Sequence, residues 1–254
     1  MTKTSARTTS ASIVAMGLLS GCATTPGFET GRALPAGETR VLVGLALEYG
    51  RDTWGVADGP PYGASWFVRG SRGLGDGFDA DATVTLPGLL CSFGACNVGV
   101  AAGLKKGDES ADALAAAVKV EAGIDCFSTP EPRAYRGVRL HGSGRLIGSW
   151  HPGERDAFYA APYVLGEWLA SREQVAPAAG ARGEPRRIAR RAAAMTIGAV
   201  LGWKHLWPGD EPLATYVEVD GLLTPRSPFT PGPGHRFAGR LGLEGGTSAP
   251  IEHE

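Results

Sequence analysis

The chain has 254 residues and almost balanced charge, with 25 Lys and Arg residues against 26 Asp and Glu residues. A net charge near zero provides no basic surface for nucleic acid, so nucleic acid is not an expected partner. After the N-terminal region the sequence contains no apolar run of about 20 residues, which a membrane-spanning helix would require.

The N-terminus has the features of a secretion signal. Lys3 and Arg7 precede a short apolar stretch at residues 13–19, and no acidic residue occurs before Glu29. A positive start, a short apolar segment and small residues at the cleavage site are typical of a signal peptide, and the apolar stretch is too short to cross a bilayer. We therefore predict that residues 1–21 direct export.

The residues at the cleavage site resemble a lipoprotein signal. Leu19-Ser20-Gly21-Cys22 resembles the bacterial lipobox. The resemblance implies a diacylglycerol and a further acyl chain, such as palmitate, on Cys22, and several acyl chains would make anchoring effectively permanent. Ala23 after the cysteine is typical of lipoproteins sorted to the outer membrane. The alternative is an ordinary signal peptide with an incidental cysteine.

Residues 22–38 are rich in Thr, Pro, Gly and Ala and are predicted to be a linker between the lipid and the folded domain. Beyond the linker, Cys91 and Cys96 could form a disulfide, which an exported protein permits. Cys126 would then be a buried small apolar residue, although three cysteines leave the pairing open. The cysteine and histidine spacing does not predict a metal site, and no cofactor is expected beyond the lipid on Cys22.

Alternation of apolar and polar residues dominates the rest of the chain. Between Arg40 and Tyr49, for example, Val41, Val43, Leu45 and Leu47 lie on one face. Side chains alternate across a strand, so this pattern predicts a β-strand with one apolar face. The same pattern recurs in five further segments: 77–86, 114–126, 138–148, 213–223 and 235–244.

Four segments with weaker alternation, 62–71, 95–105, 157–169 and 192–205, are also predicted strands. About ten strands separated by Gly- and Pro-rich turns favour an all-β fold, an up-and-down antiparallel barrel over residues 39–246 with a polar tail at 247–254. Residues 171–191 are predicted to be a long loop that could hold a short helix. Its arginines, Arg186, Arg187, Arg190 and Arg191, are expected to form a solvated face, with lipid-headgroup binding as the alternative.

The composition of the polar face favours a barrel lumen. It combines Gly, Ala and Ser with charges of both signs, which suits a crowded, ion-paired interior. Aromatic residues near strand ends, including Tyr49, Tyr62, Trp66, Trp150, Trp168, Trp203 and Trp207, could form interfacial belts. The residues predicted to face the lumen are Arg40, Glu48, Asp79, Asp81, Lys119, Glu121, Asp125, Arg139, Arg145, Glu218, Asp220, Arg236 and Arg240.

Several segments resemble porin-like outer-membrane β-barrel lipoproteins of bacteria. They are Gly31–Thr39 before the first strand, the Gly-rich turn and Asp-bearing strand at Gly73–Leu86, and the Gly- and Ala-rich strand at Val98–Lys106. The resemblance implies an outer-membrane barrel. The polar, Pro-containing residues Ser248–Glu254 depart from the terminal aromatic strand common in such barrels.

No catalytic motif is apparent. Gly142-Ser143-Gly144 lacks the spacing of a nucleophile elbow, and paired Asp79 and Asp81 are expected to be ion-pair partners rather than a cation site. The sequence thus predicts a non-enzymatic outer-membrane lipoprotein, structural or pore-like, whose partners are membrane lipid and a periplasmic or outer-membrane protein. The alternative is a lipid-tethered soluble periplasmic barrel or sandwich that binds a lipid or a partner protein.

Overall fold

The strands form one closed antiparallel barrel. A computed structural model of the chain describes residues 27–51, 62–87, 96–110, 113–128, 133–175, 186–209, 213–225 and 234–247. The ten strands are β1 (Thr39–Arg51), β2 (Tyr62–Gly75), β3 (Phe78–Pro87), β4 (Cys96–Gly107), β5 (Leu114–Ser128), β6 (Arg133–Trp150), β7 (Asp156–Val175), β8 (Arg186–Leu206), β9 (Leu213–Thr224) and β10 (Gly234–Thr247).

Each strand pairs with its neighbours in sequence, and β1 closes the barrel against β10. The closing pair runs from Thr39 opposite Thr247 to Arg51 opposite His235. Closure leaves no unpaired strand edge, which is how a barrel satisfies its backbone hydrogen bonds without a partner. The predicted fold class is confirmed, and the weakly alternating segments are strands as well. Among the described residues, no helix is long and apolar enough to cross a membrane.

The prediction of a long loop over residues 171–191 is wrong at both ends. β7 continues to Val175 and β8 begins at Arg186, and the two strands remain paired to the Val175–Arg186 position. Backbone pairing extends this hairpin although its Ala- and Arg-rich sequence carries no alternation, because ladder hydrogen bonds depend on the main chain and not on side-chain pattern.

The two ends of the barrel differ in the length of their connections. At one end, here called the turn end, the connections are residues 76–77, 108–113, 151–155 and 207–212, and β1 starts there. At the opposite, loop end, the connections are residues 52–61, 88–95, 129–132, 176–185 and 225–233. The hairpin between β2 and β3 is the tightest: Asp76 and Gly77 both have positive φ, as a two-residue primed turn requires.

The apolar face of the strands points outward. In β9, Val217, Val219 and Leu223 are exposed, whereas Glu218 and Asp220 are buried. The other strands likewise expose large apolar side chains on their outer face. Cys126, expected to be buried, is instead exposed on this outer face, because it shares the parity of Ile124 and Val120.

Candidate functional site in the barrel lumen

Residues 27–38, which we call the lumen segment, begin at the exposed turn-end rim and pack inside the barrel over residues 27–34. The Gly37 amide donates to the Gly73 carbonyl of β2 at 2.9 Å, and the Gly73 amide donates to the Glu38 carbonyl at 2.9 Å. The Ala33 amide donates to the Asp108 carbonyl at 2.8 Å. Residues 31–38 thus lie at the turn end beside β2, β5 and β6, and residues 27–30 turn inward from there. Within the predicted linker at residues 22–38, residues 27–34 are thus held against the barrel interior.

Phe28 is the apolar anchor of the lumen segment. Its ring stacks on Phe67 with centroids 5.3 Å apart and meets Tyr216 edge-on at 5.6 Å. The residue is almost completely buried and has a positive φ of 36°, which is rare for a bulky side chain and costs about 1–3 kcal/mol. Burial of the ring among two other aromatic side chains compensates for that backbone strain.

Glu29 ties the lumen segment to the barrel wall by charge. Its Oε1 atom lies 2.7 Å from Arg69 Nη1 and 2.5 Å from Lys119 Nζ. Lys119 also contacts Asp81 at 2.7 Å and Glu121 at 3.2 Å. Two buried cations thus meet three acids, and each of the three carboxylates lies within 4 Å of both cations, a proximity that makes charge tolerable away from water.

Arg69 reaches the main chain of the lumen segment as well. Its Nη1 group donates to the Gly27 carbonyl at 2.8 Å, and its Nε group donates to Thr83 Oγ1 at 3.0 Å. One guanidinium therefore binds the segment through a carbonyl and a carboxylate together. A fixed fork of donors makes arginine suited to that arrangement.

Asp79 and Lys105 hold the middle of the segment. Lys105 Nζ lies 2.8 Å from Asp79 Oδ2 and donates to the Arg32 carbonyl at 2.8 Å. The Leu34 amide donates to Asp79 Oδ1 at 2.8 Å. Asp79 and Asp81 each face a lysine, which matches the interpretation that these aspartates are ion-pair partners.

A short hydrogen-bond chain joins the segment to the turn between β6 and β7. The Gly31 amide donates to Ser149 Oγ at 3.0 Å, and Ser149 Oγ lies 3.0 Å from His151 Nε2. Partial burial and the nearby Arg32 and Lys204 charges lower the pKa of His151. The neutral imidazole is thereby favoured, so its Nε2 can accept the Ser149 proton.

A second charge cluster lies between β9 and β10. Arg240, fully buried, contacts Glu218 at 3.2 Å and Asp220 at 2.5 Å. The hydroxyl groups of Tyr159 and Tyr163 on β7 donate to Glu218 at 2.6 Å and Asp220 at 2.9 Å. The Phe28 amide also donates to Glu218, so this cluster holds the same segment from the opposite wall.

Two more clusters complete the polar interior. Towards the loop end, Arg139 contacts Asp125 at 2.5 Å and Glu167 at 3.0 Å. Near the turn end, Glu244 lies 2.9 Å from Lys204 and 3.2 Å from Arg40. Buried cations thus meet carboxylates towards both ends and in the middle of the described lumen.

The structure places most residues of the predicted lumen set in the interior. Arg40 and Arg236 are half-buried, and the Glu48 side chain lies outside the described residues. The remaining members are buried: Asp79, Asp81, Lys119, Glu121, Asp125, Arg139, Arg145, Glu218, Asp220 and Arg240.

The predicted lumen set lacks six charged residues that complete these clusters: Glu29, Arg69, Lys105, Glu167, Lys204 and Glu244. Arg69 shares the parity of Phe67 and Ser71, opposite the outward Trp66, so strict parity would have found it. Glu29 precedes the first strand and carries no periodic pattern that could place it.

Inward-facing glycines make room for the large lumen side chains. A Cβ atom at Gly44 would lie 2.1 Å from the Phe67 ring, and one at Gly202 would lie 2.1 Å from the Tyr159 ring. These inward glycines are therefore the positions where the aromatic rings of Phe67 and Tyr159 pack against the barrel wall.

The outer surface forms an apolar band with aromatic residues near both rims. Trp150 and Phe158, stacked with centroids 5.8 Å apart, lie at the turn end together with Trp207. Trp66 and Trp168 are exposed towards the loop end. Trp203 is half-buried near the turn end, and the side chains of Tyr49 and Tyr62 lie outside the described residues.

The predicted cysteine sites fall beyond what the structure describes. Cys22 and Cys91 lie outside the described residues, as does the side chain of Cys96. The lipidation of Cys22 and the disulfide between Cys91 and Cys96 therefore stay predictions.

In sequence, no protein family and no curated protein matches the chain. In structure, it is similar to the translocator domain of the autotransporter NalP from Neisseria meningitidis, with 12% identity and a TM-score of 0.45 over 83% of this chain and 89% of that one. Neisserial surface protein A gives 9% identity and a TM-score of 0.35, over 82% of this chain and 96% of that one. The attachment invasion locus protein Ail of Yersinia pestis gives 10% identity and a TM-score of 0.31, over 84% of this chain and 100% of that one.

Proposed function

We propose that this chain is a non-catalytic outer-membrane β-barrel lipoprotein whose lumen is closed by its own lumen segment and charge clusters. The observation that carries the proposal is the outward apolar face on every strand, set against a charged interior. Soluble proteins rarely expose continuous apolar patches above a few hundred Å². Lipid is the solvent that suits such a surface.

The height of the apolar band agrees with a bilayer. Phe158 and Trp168 bound the band on β7. At about 3.4 Å per residue and a strand tilt of about 40°, their separation corresponds to about 26 Å along the barrel axis, close to the roughly 25 Å apolar band of membrane barrels. Outer-membrane barrels have short turns on the periplasmic side and longer loops at the cell surface. The turn end therefore corresponds to the periplasmic side and the loop end to the cell surface.

The lipid-tethered soluble barrel is the less favoured function. A soluble barrel that binds a lipid turns its apolar face inward around a cavity. Here the interior holds paired charges such as Arg240 with Glu218.

Electrophoresis of isolated outer membranes in SDS, with and without boiling, tests insertion. An inserted barrel should stay folded in unheated SDS and shift on boiling, and a Cys22→Ser form should still resist carbonate extraction because the band itself holds the bilayer. Release of Cys22→Ser as a soluble folded protein, with no heat-dependent shift, would refute the proposal.

The lipid anchor needs its own measurement. We expect radiolabelled palmitate to be incorporated into the wild-type protein and not into Cys22→Ser, with Cys126→Ser as the matched cysteine control. Equal labelling of the wild type and Cys22→Ser would exclude Cys22 as the lipid acceptor and leave insertion of the barrel unaffected.

A further inference from the structure

The hairpin of β7 and β8 extends beyond the closed part of the barrel at the loop end. β7 pairs with residues 186–205 of β8 without interruption. Pairing of β8 with β9 begins only at Ile197, because β9 ends at Thr224. Within the part of the chain that the structure describes, residues 186–196 of β8 therefore have a strand partner on the β7 side only.

The direction of the backbone groups in β8 follows from the hydrogen bonds at its other end. The Leu206 amide donates to the Arg155 carbonyl on the β7 side at 2.7 Å, and the Trp207 amide donates to the Leu213 carbonyl of β9 at 2.8 Å. Successive residues of an antiparallel strand direct their N–H and C=O groups to opposite sides, and the β7–β8 register is continuous. Odd-numbered residues of β8 therefore direct these groups towards β9 or, before Ile197, towards the free side.

The free part of β8 lies beyond the apolar band. Trp168, which bounds the band on β7, is opposite Ala193. Residues of β8 before Ala193 therefore lie outside the span proposed for the bilayer, where backbone groups are accessible to water or to a partner. Ile188 shares the inward parity of Thr196 but is 40% exposed, so the hairpin rises above the filled part of the lumen.

The exposed stretch is long enough to accept one more strand. We call residues 187–193 the β8 edge, and its edge-directed backbone groups belong to Arg187, Ala189, Arg191 and Ala193. The last three of these residues are exposed. At about 3.4 Å per residue the edge is about 20 Å long, the length of a typical strand. A row of unpaired N–H and C=O groups is a template for pairing with another chain.

The strand ends around the β8 edge are strongly basic. Residues 133–137 of β6, 170–175 of β7 and 186–191 of β8 contain two, one and four arginines, against a single acid, Glu173. Pairing of this edge with the same edge of a second copy would bring like charges together, which disfavours a dimer of that kind. A strand with acidic side chains would instead be attracted.

We propose that the β8 edge is a docking site for an extended acidic segment of a partner protein, which adds to β8 as a further strand. Main-chain hydrogen bonds supply the affinity in this mode of recognition, and the arginines around the edge select acidic side chains. The location of this site at the cell surface rests on the proposed function, whereas the strand pairing itself does not.

Peptide binding to the purified full-length protein in zwitterionic detergent micelles tests the site. The probe is a fluorescein-labelled eight-residue peptide that alternates Glu and Val, and the matched control peptide alternates Lys and Val. We expect the fluorescence anisotropy of the acidic peptide to rise as protein is added, and its affinity to fall with added salt. The basic peptide should not bind.

Two substitutions at Ala189 separate strand addition from simple charge attraction. Ala189→Pro removes an edge-directed N–H and should weaken binding of the acidic peptide about tenfold, whereas Ala189→Ser keeps the N–H and should bind like the wild type. Proline is tolerated on the free side of an edge strand, so both variants should keep the heat-dependent shift in SDS. Equal binding by both variants would overturn strand addition and leave a general site for anions, lipid phosphate among them.

Failure of the acidic peptide to bind has a separate meaning from failure of the proposed function. If the barrel shows its heat-dependent shift but does not bind the peptide, the docking site is wrong and the membrane barrel stands. If the shift is absent and the peptide binds, the docking site stands without the membrane.

Amide hydrogen exchange, followed residue by residue by NMR, tests whether the edge is free in the wild-type protein. The amides of Ala189 and Arg191 should exchange rapidly without peptide and slowly with it. The amide of Ala192, which faces β7, should be protected in both states. Protection of Ala189 and Arg191 without peptide would show that this chain already covers its own edge, and would overturn the proposal.

Discussion

At the scale of single residues, the interior is organised around cations that each serve several acceptors. Arg69 joins the Gly27 carbonyl, the Glu29 carboxylate and Thr83. Buried charges of this kind are costly unless they are matched, and removing one partner leaves the others uncompensated. Individual lumen residues should therefore be much less tolerant of substitution than charged residues in the turns.

Glu29→Gln tests the charge that ties the lumen segment to the wall. The amide keeps the size of the side chain and loses the negative charge between Arg69 and Lys119. We expect the free energy of unfolding, measured by urea titration in lipid vesicles, to fall by about 1.5–3 kcal/mol, the range for hydrogen bonds to charged groups. Glu154→Gln, in the exposed turn at 151–155, is the matched control and should leave the free energy of unfolding unchanged. Equal effects of the two substitutions would contradict a stabilising role of the Glu29 ion pairs.

Arg240→Ala tests the cluster on the opposite wall. Removal of the guanidinium leaves Glu218 and Asp220 buried without their cation. Breaking a buried pair from one side costs about 3–5 kcal/mol, so we expect a loss of that size in the same titration. Arg72→Ala, an exposed arginine on β2, should change stability little. A loss below that of Arg72→Ala would show that the cluster does not stabilise the barrel.

At the scale of strands, alternation is clear only where the inward face is polar. β3 alternates cleanly because Asp79, Asp81 and Thr83 face inward. β7 alternates weakly because its inward face carries Tyr159, Leu165 and Leu169, so both faces are apolar. The aromatic and aliphatic residues of β7 fill the lumen opposite inward glycines, and this packing hides the strand signal in the sequence.

Val219→Arg tests the environment of the outer face. Val219 lies near the middle of β9 and is 59% exposed, whereas Leu213 begins the strand and is 46% exposed. A lipid-facing arginine costs about 2–4 kcal/mol at the bilayer midplane and about 0–1 kcal/mol near an interface. We expect Val219→Arg to lower the free energy of unfolding in vesicles by the larger amount and Leu213→Arg by the smaller. Negligible effects at both positions would indicate that water covers this face.

At the scale of the whole molecule, large side chains and the lumen segment occupy much of the described lumen. Residues 31–34 pack against the turn-end strands, and the clusters around Glu29 and Glu218 lie deeper in the lumen. A barrel of ten strands is also narrow compared with porins of 16 to 18 strands.

The double variant Phe28→Gly/Glu29→Gly tests closure. It removes the two side chains with which the lumen segment fills the interior. We expect the purified wild-type protein to be silent in planar bilayers and the double variant to conduct ions. Glu154→Gly/Arg155→Gly, in the exposed turn, is the matched control and should stay silent. Equal conductance of the wild type and the double variant would show that another path is open.

The sequence by itself determined the strands and their two faces. Side-chain parity is a local property of extended backbone, so Val217 and Glu218 had to lie on opposite sides of β9 wherever that strand packed. Parity also gathered the charges of Asp79, Asp81 and Arg240 onto one face. About ten strands with an even count then favoured a closed barrel.

Only the tertiary structure decided which face is inside and what fills it. The alternation of apolar and polar residues is the same in a soluble and a membrane barrel. Only the closed sheet shows that Val219 lies outside and Glu218 inside. The lumen segment was equally hidden, because a Gly- and Pro-rich stretch has no period. Its place depends on contacts such as that of Glu29 with Lys119, 90 positions apart, which exist once the strands have closed around it.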